Sequence, residues 1–243
     1  MSILPTIKTT KKNDDPKNLI IFGLPKVGKT SSLSKLPNNL ILDLEDGTDY
    51  IEGYVVKINK IQDLAQVAEA LKTEEHNFKF VTIDTITALE ELAIKLACHN
   101  AGVADSEELF KLPYGQGYVA HRNAVKEILG WFEGIGVNLI LTGHVKDKSL
   151  TEGSTDLNVK TLDLGGKLSN ILTANSDAIC YVYRDTENGN LMANFGDMNS
   201  VLTGARMPHL AGKTILLAER KQLDNGNFEI VTHWENIYPS LHE

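Results

Sequence analysis

Cysteine is scarce in this sequence, with two residues, Cys98 and Cys180, in 243. They stand far apart and form no C-x-x-C pair, which excludes a disulfide framework and a cysteine-rich metal site. Both are expected to be reduced core residues. Long apolar runs are lacking too. No stretch approaches the ~18 apolar residues that would span a bilayer. The first seventeen residues, MSILPTIKTTKKNDDPK, hold no apolar block of signal-peptide length. A soluble, cytoplasmic protein with no membrane partner is therefore expected. Basic residues are outnumbered, 24 Lys and Arg against 32 Asp and Glu, for a net charge of −8. That balance argues against coating duplex DNA by charge alone and leaves room for a local nucleic-acid groove. Internal repeats and low-complexity blocks are absent.

What is present is an alternation of short β-branched or aliphatic runs with amphipathic helical stretches, the pattern of an α/β fold with a largely parallel sheet. The strands expected are NLIIFG (18–23), NLILDL (39–44), YVVKI (54–58), FKFVTID (78–84), VNLILTG (137–143) and DAICYVYR (177–184). Helices are expected at 29–36, 61–73, 86–99 and 117–134. The strands are almost wholly apolar, which implies burial on both faces. Further on, CYVYRDTENGNLMANFG reads as a hairpin around ENGN, so an antiparallel edge should follow the parallel core. KTILLAE is another strand candidate, followed by a hairpin signal in LDNGN. The polar segments 101–116 and 145–163 read as long connections of the kind that often carry function. We expect a flexible segment at 1–17, a main domain at 18–220 and a C-terminal extension at 221–243.

The most specific motif is GLPKVGKT, residues 23 to 30, which fits G-x-x-x-x-G-K-[ST] and lies between a strand and a helix start. Gly23 and Gly28 allow the backbone to curl so that its N–H groups face phosphate oxygens, and a helix N-terminus adds a favourable dipole. The binding stretch is Gly23, Leu24, Pro25, Lys26, Val27, Gly28, Lys29, Thr30 and Ser31. Lys29 would reach the β- and γ-phosphates and the Thr30 hydroxyl would ligate Mg²⁺. A second acidic ligand should end an apolar strand. Asp84 does so in FKFVTID, at the carboxyl end where α/β sheets bind ligands. The bland rivals are a glycine-rich turn and a helix-capping aspartate.

The motif alone does not distinguish GTPases, kinases and ATPases. A GTPase would need N-K-x-D after the metal-binding strand. The nearest string, NKIQD at 59–63, is one residue too long and precedes that strand. Kinase lids are arginine-rich, yet Arg122 is the one arginine between Lys29 and Lys160.

Several stretches narrow the class by resemblance. LILDLEDG resembles the RecA-type strand ending in the glutamate that activates the attacking water, which implies that role for Glu45, with Asp43 and Asp46 as local competitors. FVTIDTITAL resembles the family's Walker B strand. VNLILTGHVKDK resembles the next strand, whose terminal polar residue senses the γ-phosphate; His144 stands there, where the recombinases commonly carry glutamine. DLGGKLSNILTANSDAICYVYRD resembles the segment that follows, with a helix feeding an antiparallel strand. Together with PYGQGYVAHRNAVKEILGWF, these are similar to the short RecA/KaiC-type ATPases of phages described as Sak-type single-strand-annealing recombinases. The resemblance covers about residues 18 to 195. It implies a RecA-like P-loop core, ATP and Mg²⁺ as cofactors, ATP hydrolysis with Lys29, Glu45 and His144 as catalytic residues, and a role in phage recombination or replication in the host cytoplasm.

Single-stranded DNA is the implied partner, and the loop 144–167 the implied contact, through Lys146, Lys148, Lys160 and Lys167. Asp147, Glu152, Asp156 and Asp163 nearly cancel that charge, and the loop has no aromatic residue on which bases could stack. Relatives of this type act as rings or filaments, so a homo-oligomer is implied. Arg206 or Lys213 would be the finger reaching a neighbour's site. A phage single-strand-binding protein is a further implied partner. Two other readings stay open at this point, a P-loop phosphotransferase and an ATP-dependent assembly module with little hydrolysis.

Overall fold

The computed structural model describes residues 14–152, 155–165, 167–196, 201–222, 226 and 228–242. The first thirteen residues of the expected flexible segment lie outside the described residues.

Burial on both faces starts with β1 (Asn18–Gly23). In an extended strand successive side chains point to opposite faces, so Leu19 and Ile21 enter one core while Ile20 and Phe22 enter the other. All four are at most 1% exposed. The same holds for β2 (Asn39–Asp43) and β4 (Phe80–Asp84), buried along their whole lengths. β3 (Tyr54–Lys57) is a short, exposed edge. β5 (Asn138–Glu152) is long, and β6 (Thr155–Leu162) folds back on its outer half. β7 (Ala178–Arg184), β8 (Leu191–Asn194), β9 (Gly204–Ala205), β10 (Thr214–Gln222) and β11 (Phe228–Thr232) complete the sheet. The order across it is β11-β10-β8-β7-β1-β5-β4-β2-β3, with β6 on β5 and β9 on β7. From β7 to β3 all pairs are parallel, and from β8 outward they are antiparallel. This is a mainly parallel α/β sheet flanked by helices, with an antiparallel edge formed by the C-terminal strands.

One face is covered by α2 (Ile61–Thr73), α3 (Ile86–Ala101), α5 (Gln116–Gly130) and α6 (Leu168–Asn175), which bury residues such as Leu64, Leu89, Val125 and Leu172. The other face is covered by α1 (Lys29–Leu33) and by the short helical turns Trp234–Asn236 and Pro239–His242. A further short helix, α4 (Ser106–Phe110), sits inside the connection 101–116, with Asp105 capping it by accepting from Glu108 N at 2.9 Å.

Two expectations change. The segment 145–163 is not a loose loop: β5 runs straight through His144 into an antiparallel ribbon with β6, in register from Val145 opposite Leu162 to Glu152 opposite Thr155. Residues 153–154, between the two arms, lie outside the described residues. On β6, Thr155, Leu157, Val159 and Thr161 alternate with Asp156, Asn158 and Lys160, and the β5 arm, more polar, is paired with it in register. Second, β7 is parallel to β1, and only its other edge, towards β8, is antiparallel.

The C-terminal stretch belongs to the same core. β10 runs past residue 220 and pairs with β11. The indole of Trp234 is 2% exposed and donates to Ser32 O on α1 at 2.8 Å, while Tyr238 packs edge-on against Phe80 with centroids 4.7 Å apart. Removing Trp234 would therefore open a cavity directly behind α1. Trp234→Ala is expected to cost about 3–5 kcal/mol in urea unfolding, and a loss below about 1 kcal/mol would show that this stretch is peripheral to the core.

Candidate functional site

Parallel pairing brings the strand ends level. Gly23 at the end of β1 stands opposite His144 on β5, and Asp43 at the end of β2 opposite Asp84 on β4. The polar residues that follow or end these strands therefore gather at the carboxyl edge of the sheet, as expected for a parallel α/β ligand site.

The phosphate loop leaves β1 at Gly23. A Cβ there would lie 2.5 Å from Val182 O of β7, so the close approach of two backbones requires glycine. Gly28 ends the loop with φ 114°, in the left-handed region, and α1 starts at Lys29. The Lys29 side chain is 7% exposed and curls over the loop, its Nζ donating to Gly23 O and Leu24 O, each at 3.1 Å. Burial lowers its pKa, opposed by the nearby negative charges of Asp84 and Glu45. An anion in the loop would offset that burial cost.

Thr30, one residue into α1, donates its hydroxyl to Asp84 Oδ2 at 2.6 Å. The other carboxylate oxygen, Oδ1, accepts from the Thr142 hydroxyl on β5, the strand between β1 and β4. Asp84 is 6% exposed. Burial raises its pKa, with Glu45 adding to the rise, while the hydrogen bonds from Thr142 and Thr30 and the charge of Lys29 oppose it. The peptide bond from Asp84 to Thr85 is cis.

Three carboxylates compete in the turn after β2, and they sit in different surroundings. Asp43 is 2% exposed and accepts from Glu45 N, Gly47 N, Thr48 N and the Thr48 hydroxyl, so both its oxygens are used in shaping the turn. Asp46, at φ 57°, faces the surface and pairs with Lys57, which also reaches Asp49 at 2.8 Å. Glu45 points back to the sheet edge. Its Oε1 accepts from the Thr85 hydroxyl at 2.6 Å and lies 3.0 Å from His144 Nε2. The His144 backbone N–H donates weakly to the Thr87 hydroxyl at 3.4 Å, so α3 and β5 are also joined here.

Lys29, Thr30, Asp84, Glu45 and His144 thus converge. A divalent cation the size of Mg²⁺ fits the Thr30 and Asp84 pair. It takes one or two protein oxygens and otherwise water and phosphate, and among the described residues no cluster of three or more His, Cys, Asp or Glu forms an all-protein cage.

The basic candidates divide. Lys146 is engaged with Asp163 at 3.1 Å and with Leu164 O, and Lys160 stands 3.8 Å from Asp147 across the ribbon. Lys148 on the ribbon and Lys167 before α6 are exposed. Arg206 lies at the opposite end of the sheet from the phosphate loop, where it pairs with Asp177 at 3.3 Å and donates to Ala174 O at 2.9 Å. Lys213 is exposed on the turn entering β10.

Sequence reasoning missed Thr85, Thr142 and Arg184. Thr142 had a signal, since it is two residues before His144 and so shares its side of β5. Arg184, at the end of β7, donates to Val27 O in the phosphate loop at 2.8 Å. Nothing in the local sequence marks it.

The family profile described as AAA domain matches residues 15–217. Among solved structures, the crystal structure of the RadB recombinase is similar, at 15% identity and a TM-score of 0.47, over 87% of this chain and 90% of that one. No curated protein gives a significant match.

Asp84 gives a test of the site's electrostatics. A carboxyl with a raised folded-state pKa contributes stability that is fully present below its ordinary value of 3.8 and is lost as pH rises through the raised value. At neutral pH the ionised group is a burden on the nucleotide-free protein. Asp84→Asn should therefore raise the melting temperature at neutral pH by a few degrees, the shift that about 1 kcal/mol gives in a chain of this size. The gain should shrink as the pH is lowered towards 3.8. A variant that melts lower than wild type at neutral pH would contradict this account.

Proposed function

Because this chain belongs to the AAA domain family, we propose that it is a Mg²⁺-dependent ATPase that couples ATP hydrolysis to work on single-stranded DNA, in phage recombination or replication. It is a RecA-like P-loop nucleotide-binding protein in fold. The observation that carries the hydrolytic part is the position of Glu45, held by Thr85 and His144 at the same sheet edge as Lys29, Thr30 and Asp84.

In this reading the loop from Gly23 to Ser31 wraps the phosphates with its backbone N–H groups. Lys29 gives up the Gly23 and Leu24 carbonyls for the β- and γ-phosphate oxygens, exchanging two neutral acceptors for charged ones. Thr30 and Asp84 would hold Mg²⁺, which when bound supplies positive charge against the charge developing on the transferring phosphoryl group. Glu45 orients a water and takes its proton as the water attacks the γ-phosphorus, giving ADP and inorganic phosphate. Glu45 is preferred for that role because Asp43 already accepts four hydrogen bonds and Asp46 pairs with Lys57. His144 shares Glu45 Oε1 with Thr85. A change of partner at its ring on γ-phosphate binding or loss would pass along β5, which continues without a break into the ribbon.

That ribbon is the surface we assign to DNA. Lys148 and Lys167 offer exposed charge, while Lys146 and Lys160 would have to exchange carboxylates for DNA phosphates. Affinity should be moderate and should fall steeply with salt. Assembly is proposed as a head-to-tail homo-oligomer, ring or filament, because Arg206 and Lys213 lie away from their own phosphate loop and could serve only a neighbour's. A phage single-strand-binding protein would be the further partner.

The test is phosphate release from Mg-ATP with and without single-stranded DNA. Wild type should release phosphate faster with DNA, and Lys29→Ala should abolish release under both conditions. Glu45→Gln should keep nucleotide binding and lower kcat by about 10²- to 10⁴-fold. DNA-independent release would remove the proposed partner. Transfer of the γ-phosphoryl to a small acceptor in place of water would overturn the ATPase reading.

A further inference from the structure

Arg184 ends β7, the strand that flanks β1 on the side away from β5, and its side chain lies across the outside of the phosphate loop. Its Nε donates to Val27 O at 2.8 Å and its Nη1 to Gly189 O at 3.0 Å. The remaining nitrogen, Nη2, rests on Gly28, where a Cβ would stand 2.6 Å from it. The second anchor is well braced. Gly189, at φ 73°, belongs to the turn joining β7 to β8, which is crossed by Asp185 N to Asn190 O at 2.8 Å and Gly189 N to Asp185 O at 2.9 Å. The Asp185 carboxylate also accepts from Glu187 N at 2.8 Å. One planar, forked side chain therefore joins a stiff turn to the last peptide of the phosphate loop.

The geometry of a peptide unit gives that contact a consequence. The bond between Val27 and Gly28 is trans, so its carbonyl and its N–H point in opposite directions. Holding the Val27 carbonyl outward, against Arg184, turns the Gly28 N–H to the other side of the loop, where the phosphate chain would lie. Gly28 has no side chain to choose between orientations of that peptide. Arg184 makes the choice instead, and Gly28 must be glycine both for its φ of 114° and for the guanidinium packed on it.

We propose that Arg184 is a positioning residue for nucleotide binding, which fixes the Val27–Gly28 peptide so that the Gly28 N–H faces the phosphates before the nucleotide arrives. The proposal rests on the reading of residues 23–31 as a phosphate site. The residue touches the loop and not the reacting atoms, so its effect belongs to binding, and it acts on the phosphate chain and not the base. It also places the β7–β8 turn in mechanical contact with the nucleotide, through two hydrogen bonds.

The experiment is equilibrium binding of ATP, ADP and inorganic triphosphate to full-length wild type, Arg184→Ala, Arg184→Lys and Lys29→Ala, with melting temperatures recorded without ligand. Arg184→Ala should bind all three ligands about ten- to hundredfold more weakly, the range for losing one hydrogen bond to a charged group. In turnover its KM should rise while kcat changes little. Arg184→Lys keeps the charge but cannot hold two carbonyls with a fork, so it should recover only part of the affinity. Millimolar guanidinium should partly restore Arg184→Ala and leave Lys29→Ala unchanged. Full recovery by lysine would show that charge alone matters and would overturn the positioning role. So would wild-type affinity in Arg184→Ala, or a loss that matches a fall in folded protein and is not rescued. If Lys29→Ala binds triphosphate as well as wild type, the phosphate site itself is wrong and this proposal falls with it. If only Lys29→Ala is impaired, the phosphate site stands and the proposal alone fails.

Discussion

The Asp84 carboxylate between the hydroxyls of Thr30 and Thr142 is the interaction on which the rest of the site depends. It joins three elements that are not all neighbours: α1 behind the phosphate loop, β5 in the middle and β4 beyond it. Parallel register makes the junction possible, since Phe22 and Gly143 are level across β1 and β5, as are Ile83 and Leu141 across β4 and β5. A slip of one residue in either pair would turn Thr142 or Asp84 to the wrong face of the sheet. The two-sided apolar core is what forbids such a slip, because it would also move Ile20, Ile21, Val81 and Ile83 between cores. Packing thus sets the register, and the register sets the site.

The same junction is costly to the empty protein. A buried carboxylate and a buried lysine both carry pKa values moved towards their neutral forms, and their mutual attraction only partly compensates. Such sites trade stability for readiness, since a bound polyanion with its cation would satisfy both groups and stabilise the fold by mass action. The surrounding supports are each tied down by hydrogen bonds. Trp234 backs α1 from one side, Arg184 holds the loop from the other, and Asp43 fixes the turn that presents Glu45. The C-terminal stretch closes the core behind the phosphate loop through Trp234 on α1 and Tyr238 on Phe80.

Much of this was legible in the sequence. The apolar runs mark the parallel strands because those at the centre of the sheet are buried on both faces, and the edge strand β3, exposed and partly buried, still carries β-branched residues. The phosphate loop is legible because only a narrow set of residues gives its backbone shape. Asp84 is legible as an acid ending such a strand, and Glu45 only as one of three acids at and after the end of β2. The ribbon after His144 reads as a loop in the sequence because its polar and charged residues outweigh the apolar and β-branched positions at Val145, Val159 and Thr161. Pairing between its arms, a nonlocal gain, decides the structure there. α4 is too short for helical periodicity to show. Thr142 was signalled only by its place two residues before His144 on β5, and Thr85 and Arg184 could not be read as site residues, since an isolated threonine or arginine says nothing about what stands across the sheet from it. The choice among Asp43, Glu45 and Asp46 likewise needed three dimensions: adjacent in sequence, they face a turn, the sheet edge and the surface.

The central claim is that the residues at the carboxyl edge of the sheet form one hydrolytic centre. The most direct measurement is a crystal structure of the protein with Mg²⁺ and a non-hydrolysable ATP analogue. The account predicts Mg²⁺ bound at the Thr30 and Asp84 oxygens, Lys29 Nζ transferred from the Gly23 and Leu24 carbonyls to phosphate oxygens, and a water between Glu45 and the γ-phosphorus. A triphosphate bound elsewhere, or a γ-phosphate beyond the reach of a water held by Glu45, would contradict it.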